Sequence, residues 1–145
     1  MIALKNEEQL AGMRVSGRLA AEVLREVCDA TAPGVTTAEL DAHAETMIRQ
    51  MNGAPSFLGY RGYPRATCIS VEEEVVHGIP GSRRIEEGQV VSIDVGVLYK
   101  GYHGDAALTV GCGAVDDLRR RLMEATDRAL ASGIRAACAG AYLQD

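Results

Sequence analysis

Along residues 7–30 apolar side chains return every three or four positions: Leu10, Met13, Gly17, Ala20, Leu24 and Val27. That spacing places them on one face of a helix. Asn6 ahead of Glu7, Glu8 and Gln9 predicts an N-cap and an acidic first turn. Pro33 and Gly34 break this helix, and Thr36 with Glu39 predicts a capping box for a second one. Leu40, Ala44, Met47, Ile48 and Met51 form its apolar face, and Asn52-Gly53 ends it.

From Pro55 to Gly113 the helical period disappears. β-Branched clusters punctuated by glycine and proline follow one another: "TCISV", "VVHGIP", "QVVSIDVGVL" and "AALTVG". These read as strands and turns. After Gly113 the helical period returns, with Leu118, Leu122, Ala125, Ala129 and Ile134 on one face of a helix over about 116–137. Two N-terminal helices, an antiparallel sheet and one C-terminal helix make the class α+β.

A weak internal echo runs through this pattern. Shifted by about 110 positions, Arg18, Ala21, Arg25 and Cys28 meet Arg128, Ala131, Arg135 and Cys138. Leu24 meets Ile134, and "PGVTTAE" has an echo in "AGAYLQD". Two amphipathic helices agree this well by chance, or a second copy of the first unit begins here.

The 145 residues, 47% of them hydrophobic, suit a single domain over 1–145 with a core of its own. A net charge of −5 lacks the basic excess that a general nucleic-acid binder needs. The densest basic run, "DDLRRRL" at 116–122, contains its own acids and reads as a solvated helix face. Cys28, Cys68, Cys112 and Cys138 are widely spaced, so neither a disulfide framework nor a zinc ribbon is expected. "MIALKNEEQL" has no apolar signal core, and no run approaches the ~18 apolar residues of a membrane span. These features predict no membrane partner and a reducing cytoplasm as the compartment.

Chemistry concentrates in the hairpin "DVGVLYKGYHGD", with Asp94 and Asp105 at its ends. If it folds around Tyr99-Lys100, the two acids stand directly opposite, their Cβ atoms ~4.5–5.5 Å apart. Two carboxylates that close resist ionising together, and a divalent cation between them removes the penalty. The other reading is two acids on a solvated strand face. A one-residue slip would send one of them to the opposite side.

His77 precedes a turn at the end of an apolar segment, where it is either a proton or hydrogen-bond donor to substrate or a histidine satisfied by backbone. His103 shares a strand face with Asp105, as a ligand or a ligand's partner. His43 reads as structural. "FLGYRGYP", 57–64, spaces Tyr60 and Tyr63 between glycines, as an apolar pocket wall or a tyrosine-anchored loop. Cys68 has no base beside it and reads as a buried wall residue.

Taken in order, "MRVSGRLAAEVL", "PGVTTAELD", "FLGYRGYPRATCISVEEEVVHGIPG" and "GQVVSIDVGVLYKGYHGDAALTVG" resemble the type I methionine aminopeptidase family over essentially the whole chain. The resemblance implies half of a pita-bread fold, as in the creatinase/aminopeptidase group. A first pseudo-repeat would cover about 1–113, and a second would begin at about 115 and be cut off. It implies removal of N-terminal methionine from nascent polypeptides through a metal-bound hydroxide, with two ions of Co, Mn, Fe or Zn.

By the same resemblance Asp94 and Asp105 are metal ligands. His77 is the catalytic histidine that hydrogen-bonds the substrate. Phe57, Tyr60, Tyr63 and Cys68 line the methionine pocket. Glu72 stands where family members often carry asparagine, which implies a different polarity at the site rim. The family's other three ligands, one histidine and two glutamates, lie in its second half. Two expectations therefore compete: a metalloaminopeptidase, or an inactive half-domain or fragment. The half-domain would homodimerise to replace the missing half, gathering four carboxylates. A module that holds peptide amino termini without chemistry is a further alternative.

Overall fold

The computed structural model describes residues 3–142 and 144; Leu143 and Asp145 of the "AGAYLQD" echo, like Met1 and Ile2, lie outside the described residues. Helix α1 spans Glu7–Asp29 and opens on the predicted cap. The Asn6 side chain accepts from the Gln9 N–H, and the Gln9 side chain accepts from the Asn6 N–H. Helix α2, Thr37–Gln50, starts with the same reciprocal pair between Thr36 and Glu39. Asn52 then turns the chain out of the helix with φ 59°.

Four antiparallel strands follow: β1 (Ala54–Pro55), β2 (Thr67–Val71), β3 (Val90–Tyr99) and β4 (Tyr102–Gly111). β4 pairs with the whole length of β3, while β1 and β2 pair with successive parts of its other side. Period two then sorts the side chains of β3. Val91, Ile93, Val95 and Val97 are fully buried, in one core with Val23, Val27, Leu40 and Ile48 of the two helices. Each such side chain contributes about 1.5–3 kcal/mol by leaving water.

The buried stripe of α1 is Ser16, Ala20, Val23, Leu24, Val27 and Cys28. This corrects the expected face: Met13 is 41% exposed, and the Cα of Gly17 points into open space. Ser16 displaces them because its hydroxyl donates to the Tyr102 carbonyl at 2.9 Å, tying α1 to the tip of the hairpin. Helix and strand come so close there that any Cβ at Gly104 would collide with the Ser16 backbone.

Two further expectations change. "VVHGIP" is not a strand: Val75, Val76 and Ile79 are exposed in a loop after β2. The Glu74 side chain accepts from the Val71 N–H at 2.8 Å, and Glu72 adopts φ 56°, so the chain curls at the strand end instead of continuing. Helix α3, Asp117–Ala136, forms as predicted with Asp116 as its cap. None of its residues is buried, and Leu118, Leu122, Leu130 and Ile134 are all exposed. Its start is held by Arg119, whose guanidinium meets Glu72 at 2.5 Å. No described helix is long and apolar enough to cross a membrane.

Asp41, buried on α2, joins the helix layer to the start of β2. One of its oxygens accepts from the Ala66 N–H, the Thr67 N–H and the Thr67 hydroxyl at 3.0, 2.8 and 2.8 Å. Asp41→Ala should lower unfolding stability by about 3 kcal/mol, because it strands buried donors. Urea denaturation should show a lower midpoint with unchanged slope. An unchanged midpoint would contradict this role.

Candidate metal and substrate site

The hairpin turns at Lys100-Gly101, one position later than the spacing suggested. Both residues have positive φ, 48° and 84°, as a two-residue primed turn requires. Tyr99 therefore pairs with Tyr102, Asp94 with Ala107 and Gly96 with Asp105. The acids are diagonal neighbours rather than directly opposite, a correction of two residues in register. An even shift keeps them on one face, the one turned away from α1. Diagonal positions lie about 7–8 Å apart at Cα, with Cβ atoms somewhat closer.

Asp94 is the electrostatic focus. Its Oδ1 is buried and is the one such side-chain oxygen or nitrogen without a hydrogen-bond partner among the described residues. Burial raises its carboxyl above the usual aspartate value, and the Asp105 charge raises it further, while nearby His77 acts the other way. A buried carboxylate oxygen without a donor is costly unless a cation or a ligand donor completes it.

Two loops wall this face of the sheet. In the first, the Ser56 N–H donates to the Gly96 carbonyl at 2.9 Å. That contact brings Phe57 across Gly96, where any Cβ would strike its ring. Tyr63 donates to the carbonyls of Thr67 at 2.9 Å and Gly78 at 3.2 Å, clipping the first loop to the second. In the second loop, the Ser70 hydroxyl accepts from the Gly78 N–H, and the Ile69 N–H donates to the Gly78 carbonyl. His77, at φ 59°, is thereby presented beside Asp94.

The result is a cavity of about 580 Å³. Its walls include Phe57, Tyr60, Tyr63 and Cys68, and its lining also holds His77, Asp94 and Asp105. All seven candidate residues thus come together. Tyr63 fits both sequence readings, as wall and as anchor. Cys68 is 7% exposed, pairs with Asp94 across the strands, and has its thiol pushed up by burial. Arg61, Pro64 and Ile79 also line the cavity. The signal for Arg61 was its place between the two tyrosines, and for Ile79 its place two residues after His77.

Other candidates stand apart. His103 is exposed on the Asp105 face, and its Nδ1 lies 2.9 Å from the Ser56 hydroxyl. His43 is exposed on α2. Glu72 does not line the cavity: it accepts from the Val90 N–H and pairs with Arg119, which holds its carboxyl low. Its expected effect on the site rim is therefore absent. The donor chemistry of Asp94 and Asp105 fits a divalent cation. No group of three or more His, Cys, Asp or Glu suited to a metal occurs among the described residues.

The sequence profile of metallopeptidase family M24 matches residues 11–145. The methionine aminopeptidase of Clostridium acetobutylicum is 40% identical over 146 aligned positions, covering 100% of this chain and 58% of that protein. Methionine aminopeptidase 1 of Bacillus subtilis is 41% identical, again covering 100% of this chain and 58% of its own length. The crystal structure of methionine aminopeptidase from Rickettsia prowazekii superposes with a TM-score of 0.91 at 36% identity, covering 92% of this chain and 54% of that one. The α+β architecture is therefore part of a pita-bread fold, and the chain spans little more than half the length of these relatives.

Asp94 gives a test that needs no turnover. Because its folded carboxyl is raised, it holds its proton more tightly in the native state than in the unfolded chain. Its ionisation therefore lowers stability as pH rises through the folded value. In chelating buffer at neutral pH, Asp94→Asn should melt above the wild type, and the gain should fade below the ordinary value of 3.8. Added Mn²⁺ should raise the melting temperature of the wild type and not of the variant. A variant that melts lower in chelator would contradict the assignment.

Proposed function

Since the chain belongs to metallopeptidase family M24, we propose that it takes part in the metal-dependent removal of methionine from polypeptide amino termini. The observation that carries this reading is the buried, unpartnered Asp94 Oδ1 beside an aromatic-walled cavity. Asp94 and Asp105 would hold divalent metal, one or two ions of Co, Mn, Fe or Zn. Bound there, the metal supplies Lewis-acid polarisation of the scissile carbonyl and an activated water.

The chain's own residues bind and orient. Phe57, Tyr60, Tyr63 and Cys68 take the methionine side chain out of water. The Asp94–Asp105 end of the cavity would receive the free amine as a further ligand of metal held there. His77 donates a hydrogen bond to the peptide next to the scissile bond. A cytoplasmic setting accords with four free thiols, of which Cys138 is exposed.

A second reading is favoured by the lack of a three-ligand group among the described residues. In that reading the chain binds metal or a peptide amino terminus without turnover. Hydrolysis decides between them. With Mn²⁺ or Co²⁺, release of methionine from Met-Ala-Ser should be detectable and should fall about a hundredfold or more in Asp105→Ala. No release would sink the hydrolytic reading for this chain alone.

The partner belonging to either reading is a second copy. Helix α3 leaves Leu118, Leu122, Leu130 and Ile134 exposed, and the outer edge of β4 pairs with no described strand. Such surfaces invite association. A two-fold pair would add a second Asp94 and Asp105 to the assembly. Light scattering at micromolar concentration should give twice the 15.4 kDa chain mass; a monomer mass would exclude the pair.

A further inference from the structure

The cavity has a polarity that its acids alone do not explain. Its described lining carries two carboxylates, Asp94 and Asp105, and one permanent cation, Arg61. Arg61 is exposed at the mouth, between Tyr60 and Gly62. It makes no ion pair or hydrogen bond with a described residue, in contrast to Arg49, Arg83, Arg119 and Arg120. Its guanidinium carbon lies 5.5 Å from the centroid of the Tyr60 ring.

The backbone holds this arrangement in place. Gly59 and Gly62 have φ of 83° and 85°, and Arg61 between them has φ 49°. A residue with a Cβ resists the left-handed region, so the turn imposes the conformation on Arg61. Resting on the aromatic face compensates in part and leaves the N–H donors of the fork toward solvent. A planar fork with free donors is the group best matched to a carboxylate.

We propose that Arg61 is a specificity-determining residue, reading a side-chain carboxylate on the third residue of a bound peptide. The proposal rests on the reading that the cavity takes a peptide amino terminus. With the free amine at the Asp94–Asp105 end of the cavity, the chain beyond the first residue leaves on the side where Arg61 stands. Neutral and acidic peptides then differ in affinity, and peptides with Asp or Glu at the third position are favoured.

Calorimetric titration of the full chain with Mn²⁺ present tests this with amidated peptides, so that no terminal carboxylate competes. Met-Ala-Glu-Ser amide is compared with its Met-Ala-Gln-Ser counterpart. In low salt the acidic peptide should bind about threefold to fivefold more tightly than its Gln partner, the range expected of an exposed Arg–carboxylate pair. High salt and Arg61→Ala should each abolish the difference, and Arg61→Lys should keep part of it. Equal affinities in the wild type, or a preference that survives Arg61→Ala, would overturn the proposal while leaving peptide binding intact. A preference seen only with non-amidated peptides would overturn it too, by assigning Arg61 to a terminal carboxylate. If no peptide binds, the amino-terminus reading fails and takes this inference with it.

Discussion

The seating of α1 on the β3–β4 hairpin decides which side of the sheet every other group occupies. Ser16 donates to the turn carbonyl of Tyr102, and Gly104 admits the helix backbone. With that contact made, Val91, Ile93, Val95 and Val97 face the helices. Strand alternation then leaves Asp94, Gly96 and Asp105 on the opposite side with no choice of their own. The loops that wall the cavity answer to the same sheet. Phe57 lies over Gly96, and Gly78 docks on the backbone of β2. A slip of β3 by one residue would bury Asp94, parting it from Asp105, and expose the valines.

Within that frame, charge is distributed unevenly. The triplet Glu72, Glu73 and Glu74 lies close in sequence to His77, yet each acid is partnered away from the cavity. Glu72 meets Arg119, while Glu73 and Glu74 meet Arg83. These contacts hold the loop and keep its charges from the site. Asp94 receives no such cation, and its neighbour Asp105 adds repulsion. Stability alone would favour a neutral or paired residue at this position. A cation held between the two acids would offset that cost.

Much of this was legible in the sequence. Helical spacing located α1, α2 and α3, and the two capping boxes formed between the residues that signalled them. The α+β class followed from element order. What failed did so locally. The hairpin register hung on the φ signs of Lys100 and Gly101, and glycine at the second turn position was the signal to weigh more heavily. The stretch 75–80 has strand composition but no strand, because Glu74 captures the Val71 N–H and the turn at Glu72 ends the ladder. Ser16 was passed over because a polar residue breaks an apolar pattern even when its hydroxyl is what anchors the helix. Spacing singled out Asp94, Asp105, His77, Tyr60, Tyr63 and Cys68 with a structural reading open beside each, while their roles, and Phe57, came from resemblance. Spacing along one chain carries no information about how two separate loops are clipped together by a tyrosine hydroxyl.

α1 and α3 show how far a shared pattern goes without a shared environment. The spacing of Arg18, Ala21, Arg25 and Cys28 returns in Arg128, Ala131, Arg135 and Cys138. At the positions of Ala20 and Leu24, both buried under the sheet, α3 carries Leu130 and Ile134, which are 62% and 66% exposed. Amphipathic sequence and good capping suffice to form both helices, but burial belongs to the surface that receives them. α1 has β3 and β4 beneath it; α3 is held at its first turn by Arg119 and Glu72 and by little else among the described residues. The acidic face of the sheet repeats the lesson in chemical terms. Two carboxylates on a rigid sheet fix where a cation would sit, while the number of further donors decides how tightly it is held.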